Sequence, residues 1–173
     1  MKKNLNFLIP AILLALNTGT MAQSETAGNL TGTGVVCPDL QKSMKFYLDV
    51  IGMTRTGGFD VDAGFAKSSG LTDGVPFHVE VLKLGESPDA ISWKLMTFGK
   101  GTAPSRSEYV PDEAGMQYIT LQVGNLGTVL GRCRDNGVQL LGESPVRMQG
   151  GDRYFALVRA PEGTFIELIG PMP

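Results

Sequence analysis

The sequence predicts an α+β fold built from two tandem βαβββ modules. Three observations point there. The element order strand–helix–strand–strand–strand occurs twice, each copy has a similar helix start, and 23 glycines supply the tight turns of a strand-rich chain. The chain has 173 residues, 42% of them hydrophobic and 18% charged. That is enough for a core, and the balance excludes a largely disordered protein. A formal net charge of −2 offers no strong attraction to nucleic acid or anionic lipid.

The first module is assigned to residues 33–100. Thr33 to Cys37 reads as a short strand, and Asp39 after Pro38 is a good helix N-cap. Leu40, Met44, Tyr47, Leu48 and Ile51 recur at helical spacing, and Gly52 ends the helix. Met53 to Phe59 reads as a second strand, and Gly64 to Gly74 as a loop. The stretches PFHVEVLKLG (76–85) and AISWKLMTFG (90–99) read as two strands joined by a turn. Residues 101–114, with Pro104 and Pro111, read as a linker.

The second module is assigned to residues 115–173. Met116 to Gly124 reads as its first strand and Asn125 as a helix cap. Leu126, Val129, Leu130 and Cys133 form an apolar helix face closed by Gly137. Val138 to Val146, Arg153 to Arg159 and Thr164 to Ile169 complete the set of strands. The offset that pairs Asp39-Leu40 with Asn125-Leu126 also pairs Asp49 with Asp135.

Residues 1–22 read as a secretory signal peptide. Lys2 and Lys3 precede an apolar run from Phe7 to Leu16, and Thr20-Met21-Ala22 ends in a small residue suited to cleavage. The run is short for a permanent membrane span, although an uncleaved anchor is the alternative. Residues 23–32 read as a flexible lead-in. An exported chain leaves Cys37 and Cys133 free to form one bridge in an oxidising compartment; two buried thiols are the other reading.

PDLQKSMKFYLDVIGM (38–53) resembles the first strand-to-helix segment of the vicinal oxygen chelate superfamily, which includes glyoxalases, bleomycin-resistance proteins and extradiol dioxygenases. LQVGNLGTVLGRCRDNGV (121–138) resembles the equivalent segment of the second module. APEGTFIELIG (160–170) resembles the closing turn and strand, with Ala160 where an aspartate is usual. The resemblance implies a curved mixed sheet around one cavity. It also implies four metal-ligand positions, one on the first and last strand of each module, which fall on Gly32, Lys94, Tyr118 and Glu167.

Only Glu167 carries a typical ligand. Glycine has no donor, and a charged lysine has no free lone pair. The single histidine, His78, cannot make a two-histidine, one-carboxylate iron site within one chain. His78 and Glu80 are two apart in a strand and should share a face. No cofactor is therefore expected, and a divalent metal is disfavoured.

By alternation, Ser92, Lys94 and Met96 face the cavity while Trp93 and Leu95 face away. Tyr118, Thr120 and Gln122 share a second cavity face, and Phe165 and Glu167 a third. These eight residues are the candidate ligand-binding set. The expected function is binding of a small organic molecule outside the cytoplasm, without the usual metal. The alternative is a lyase, isomerase or hydrolase in which Glu167 is the base and Lys94 or Tyr118 stabilises an oxyanion, with or without an atypical metal site. In a metal-free cavity Lys94 is expected to take over part of the lost cation's charge by pairing with Glu167, with Tyr118 as third member. The partner is a small molecule rather than nucleic acid or, after signal cleavage, a membrane. A homodimer is left open.

Overall fold

The computed structural model describes residues 30–99, 102–105 and 107–173. The signal peptide and most of the lead-in lie outside the described residues. The first module runs β1 (Gly32–Val36), α1 (Leu40–Lys45, continued by a π-helical segment Phe46–Ile51), β2 (Thr54–Val61), α2 (Ala63–Ser68), β3 (Phe77–Lys83) and β4 (Ser92–Thr97). The second runs β5 (Tyr118–Gln122), α3 (Leu126–Asp135), β6 (Leu140–Arg147), β7 (Arg153–Arg159) and β8 (Phe165–Pro171). Each module forms its own four-stranded mixed sheet, ordered β1-β4-β3-β2 and β5-β8-β7-β6. In each, the strand before the helix pairs in parallel with the last strand, and the other pairs are antiparallel. The two sheets share one topology, as expected of a tandem repeat.

The helix starts form as the sequence predicts. The Asp39 carboxylate accepts from the Lys42 amide at 3.1 Å, and the Asn125 side chain accepts from the Thr128 amide at 3.0 Å. Each satisfies an amide that the first helical turn leaves without a partner. Gly52, at φ +88°, closes the π-helical segment.

One core joins the modules. Tyr47, Val50, Leu126, Leu130 and Cys133 come from the helices. They pack on Leu82, Trp93 and Leu95 of the first sheet and on Ala156, Val158, Ile166 and Leu168 of the second. Arg132 of α3 ties the helices together: its Nε donates to Val50 O at 2.7 Å and its Nη2 to Ile51 O at 3.2 Å. These carbonyls sit at the end of the π-helical segment, where no intrahelical donor follows. Cys37 and Cys133 are both buried and unbridged.

Two stretches read as loop and linker have more structure than the sequence suggests. Within 64–74, α2 forms because Asp62 caps it, accepting from the Phe65 amide at 2.9 Å. Ala66 then packs, fully buried, on Phe77 and Val79. This short turn has no helical periodicity of its own; tertiary contact makes it. In the linker, Ser105 N donates to Glu162 O at 3.0 Å, Ser107 is buried, and Val110–Asp112 is a turn of 3-10 helix.

Candidate functional site

Strand alternation divides each sheet as the sequence predicts. On the first sheet, Trp93 and Leu95 are buried under the helices, and Ser92, Lys94 and Met96 lie on the opposite face. The two halves of that opposite face differ. Around β3 it is filled: Ala66 of α2 packs with Phe77 and Val79, and Val61, Val81, Met96 and Phe98 surround them. Toward β1 it is open, and Lys94 is exposed. A Cβ on Gly32 would lie 3.5 Å from Lys94 Cε. The lysine stem thus passes over the glycine, and these two ligand positions offer an ammonium group and no donor.

On the second sheet, Tyr118, Thr120, Gln122, Phe165 and Glu167 share the face turned away from the helices. The β5–β8 register sets Thr120 beside Glu167, and Thr120 Oγ1 donates to Glu167 Oε2 at 2.5 Å. Tyr118 stands opposite Phe165, one step along, and is 46% exposed. Arg153 donates to the Gln122 side chain. Lys94 and Glu167 do not form the expected pair: the ion pairs among the described residues are Lys42–Asp39, Arg55–Glu80, His78–Asp60, His78–Glu80 and Arg147–Asp152. The two residues belong to different sheets, and no strand register links them. The four positions therefore do not fit a divalent cation, because one carboxylate on an open face is the only good ligand among them.

This face also carries a cavity that sequence reasoning missed. A cavity of about 580 Å³ is walled by Phe155 and Leu157 of β7, Phe165 of β8, and Leu141 and Val146 of β6. Tyr109, Val110 and Pro111 of the linker roof it, and Glu108, Glu143 and Ser144 supply polar groups at its margin. Leu157 is the register partner of Glu167, so the cavity adjoins the Thr120–Glu167 pair. Alternation along β7 was the available signal, since Phe155 and Leu157 fall on one face and Ala156 and Val158 on the other. Of the eight candidate ligand residues, Phe165 lines this cavity. Thr120 and Gln122 instead border a cleft of about 450 Å³ between the sheets, with Trp93, Met53 and Ile119.

His78 and Glu80 share a face, but it is the helix-covered side of the first sheet, with Leu82 and Leu95, and the two lie toward its exposed margin. His78 Nδ1 lies 2.6 Å from Asp60 and Nε2 lies 3.1 Å from Glu80, while Arg55 holds Glu80 at 2.5 and 3.2 Å. Both ring nitrogens can donate only when the imidazole is protonated, so Asp60, then Glu80, raise the pKa of His78. As the chain's single histidine, it should give one ring signal by proton NMR. Its titration should lie above the usual histidine value of 6.5 and move down in Asp60→Asn. Any stability this pair adds is present below pH 6.5 and lost as pH rises through the raised value. A titration unchanged by Asp60→Asn would show that the ion pair does not persist in solution.

A second polar cluster is buried between the modules. Glu162, in the APEG turn, is 6% exposed. It accepts from Tyr47 OH at 2.5 Å and from Ser43 Oγ at 3.0 Å, both on the first module's helix. Burial raises the Glu162 carboxyl above the ordinary range, against the lowering effect of the two hydroxyls. Burial and then the nearby Glu162 push the Tyr47 phenol well up. Burial also pushes the Cys37 thiol up to about 11, which keeps it protonated and unreactive.

Known proteins agree with this architecture. A glyoxalase family protein from Bacillus cereus is similar over 87% of this chain and 99% of its own, with 18% identity and a TM-score of 0.67. The trypanothione-dependent glyoxalase I of Leishmania major covers 82% of this chain and 86% of its own, at 20% identity and a TM-score of 0.60. A glyoxalase I mutant from Zea mays covers 84% of this chain at 17% identity and a TM-score of 0.63; here the match spans 45% of the maize chain. At these identities the likeness is one of fold. No curated protein sequence matches. The sequence profile of the Glyoxalase/Bleomycin resistance protein/Dioxygenase superfamily matches residues 29–168, most of the chain, and the chain belongs to that superfamily.

Proposed function

We propose that the protein binds a small organic molecule in the cavity of the second module, without the metal typical of its superfamily. The carrying observation is the cavity of about 580 Å³ walled by Phe155, Leu157 and Phe165, roofed by Tyr109 to Pro111, and adjoining Glu167. Its size and its mix of apolar walls and marginal polar groups suit a small-molecule site. The ligand positions Gly32, Lys94, Tyr118 and Glu167 support the metal-free part of the reading, because one conventional donor cannot hold a divalent ion firmly. The charged start, apolar run and small-residue end of residues 1–22 support a location outside the cytoplasm.

A thermal-shift screen of small organic compounds on the mature chain tests the reading. A ligand at about a hundred times its Kd should stabilise the protein by roughly 2.7 kcal/mol. Leu157→Trp, which fills the cavity, should abolish the shift. Tyr109→Ser should weaken it without affecting folding, because Tyr109 is 64% exposed. Hits whose shifts survive both substitutions would place the ligand elsewhere and defeat the proposal. Turnover of a hit that disappears in Glu167→Gln would replace binding with the enzymatic reading, in which Glu167 is the base.

A further inference from the structure

We infer that a second site, apart from the second-module cavity, accepts an amphiphilic anion, a carboxylate on a short apolar body. It lies where α1 meets the start of β6, in a groove of about 360 Å³. Three cationic residues border it, Lys42, Lys45 and Arg159, and no acidic side chain does. In a chain whose net charge is −2, a lining whose charged residues are all basic is a local concentration of positive charge against the general balance.

Most of that charge is not neutralised. Lys45 makes no ion pair among the described residues, and Lys42 shares its ammonium with Asp39 at 3.0 Å. Arg159 donates to two carbonyls, Gly163 O at 3.3 Å and Glu108 O at 3.1 Å, and its guanidinium lies 4.1 Å from the centre of the Phe165 ring. These contacts fix the guanidinium but leave its charge uncompensated by any carboxylate.

The rest of the lining is mostly apolar, with Asn136 and Gln139 as its neutral polar side chains. Phe46 and Val50 of the π-helical segment face Val138, Leu141 and Pro161 across it. A small inorganic anion would leave those walls against water, and a neutral apolar molecule would gain nothing from the cations. An amphiphilic anion satisfies both, with its head at the lysines and its body along the walls. The groove shares the Leu141 side chain with the second-module cavity but contains neither Tyr118, Thr120 nor Glu167. It therefore stands whether or not the function proposed above is right.

Isothermal titration of the mature chain with octanoate, octanol and acetate tests the site. Octanoate should bind saturably at one site per chain and weaken as salt is raised. Octanol and acetate, each lacking half of the chemistry, should bind about tenfold more weakly or worse. Lys45→Glu should weaken octanoate by about tenfold or more, while Lys67→Glu on α2, with the same charge change, should leave it unaltered. Octanoate binding that octanol matches, that is equal in Lys45→Glu and wild type, or that never saturates overturns the inference.

Discussion

Glu162→Ala is expected to lower the unfolding free energy by about 3 kcal/mol and the melting temperature by roughly 6–12 °C. The carboxylate receives hydroxyl hydrogen bonds from Ser43 and Tyr47, both fully buried. Removing it leaves two buried hydroxyls without that partner and opens a void between the modules, and the two costs add. Glu162→Gln keeps the shape and an acceptor, so it should cost about 1 kcal/mol. The two variants also differ in how stability depends on pH. Burial, the dominant effect, raises the Glu162 carboxyl above 4.5. The stability linked to this shift is complete below about pH 4.5 and is lost as pH rises through the raised value. Wild type should therefore show a decline over that interval which Glu162→Gln lacks. Urea unfolding across pH measures both effects. Glu162→Ala melting within about 2 °C of wild type would falsify this account of the cluster.

Gly163→Ala, one residue on, should be about as damaging, at about 3 kcal/mol. Gly163 sits at φ +102°, where side chains other than hydrogen are strained. A Cβ there would lie 2.7 Å from Ser105 O and 2.8 Å from Ser105 N. Both are backbone atoms that cannot swing aside, so the linker must lift away from the turn. That movement would break the bond from Ser105 N to Glu162 O. Since the linker also carries Tyr109 to Pro111 over the second-module cavity, the variant should be cut faster within residues 101–114 by proteases. Ligand responses that need the roof should fall with it. Wild-type stability together with wild-type protease resistance would show that the linker tolerates the extra methyl group.

Local rules made much of this structure legible in the sequence. Asp39 and Asn125 announce the helices because capping is decided within four residues. The faces of Lys94, Tyr118 and Glu167 follow from strand alternation alone. What was not legible depends on contacts between distant segments. Glu162 looks like an ordinary turn carboxylate until Ser43 and Tyr47, more than a hundred residues earlier, close over it. The Lys94–Glu167 pair fails for the converse reason: each residue has the expected face, but each belongs to its own sheet and nothing in the sequence sets the distance between them. Likewise α2 has no periodicity to reveal it, and the roof of the cavity is drawn from a segment that composition marks only as a linker.

The packing of α2 bears on how many molecules one chain can hold between its repeats. A tandem duplication would by itself give two equivalent recesses, one per sheet, and a stoichiometry of two. Here Ala66 packs on Phe77 and Val79 over the β3 part of the first face, while the second keeps its opening beneath Tyr109. On the proposed reading, the first repeat contributes more of the packing and the second the binding cavity. A titration confined to these faces should therefore saturate at one equivalent per chain, with a single class of affinity and no cooperativity within the chain.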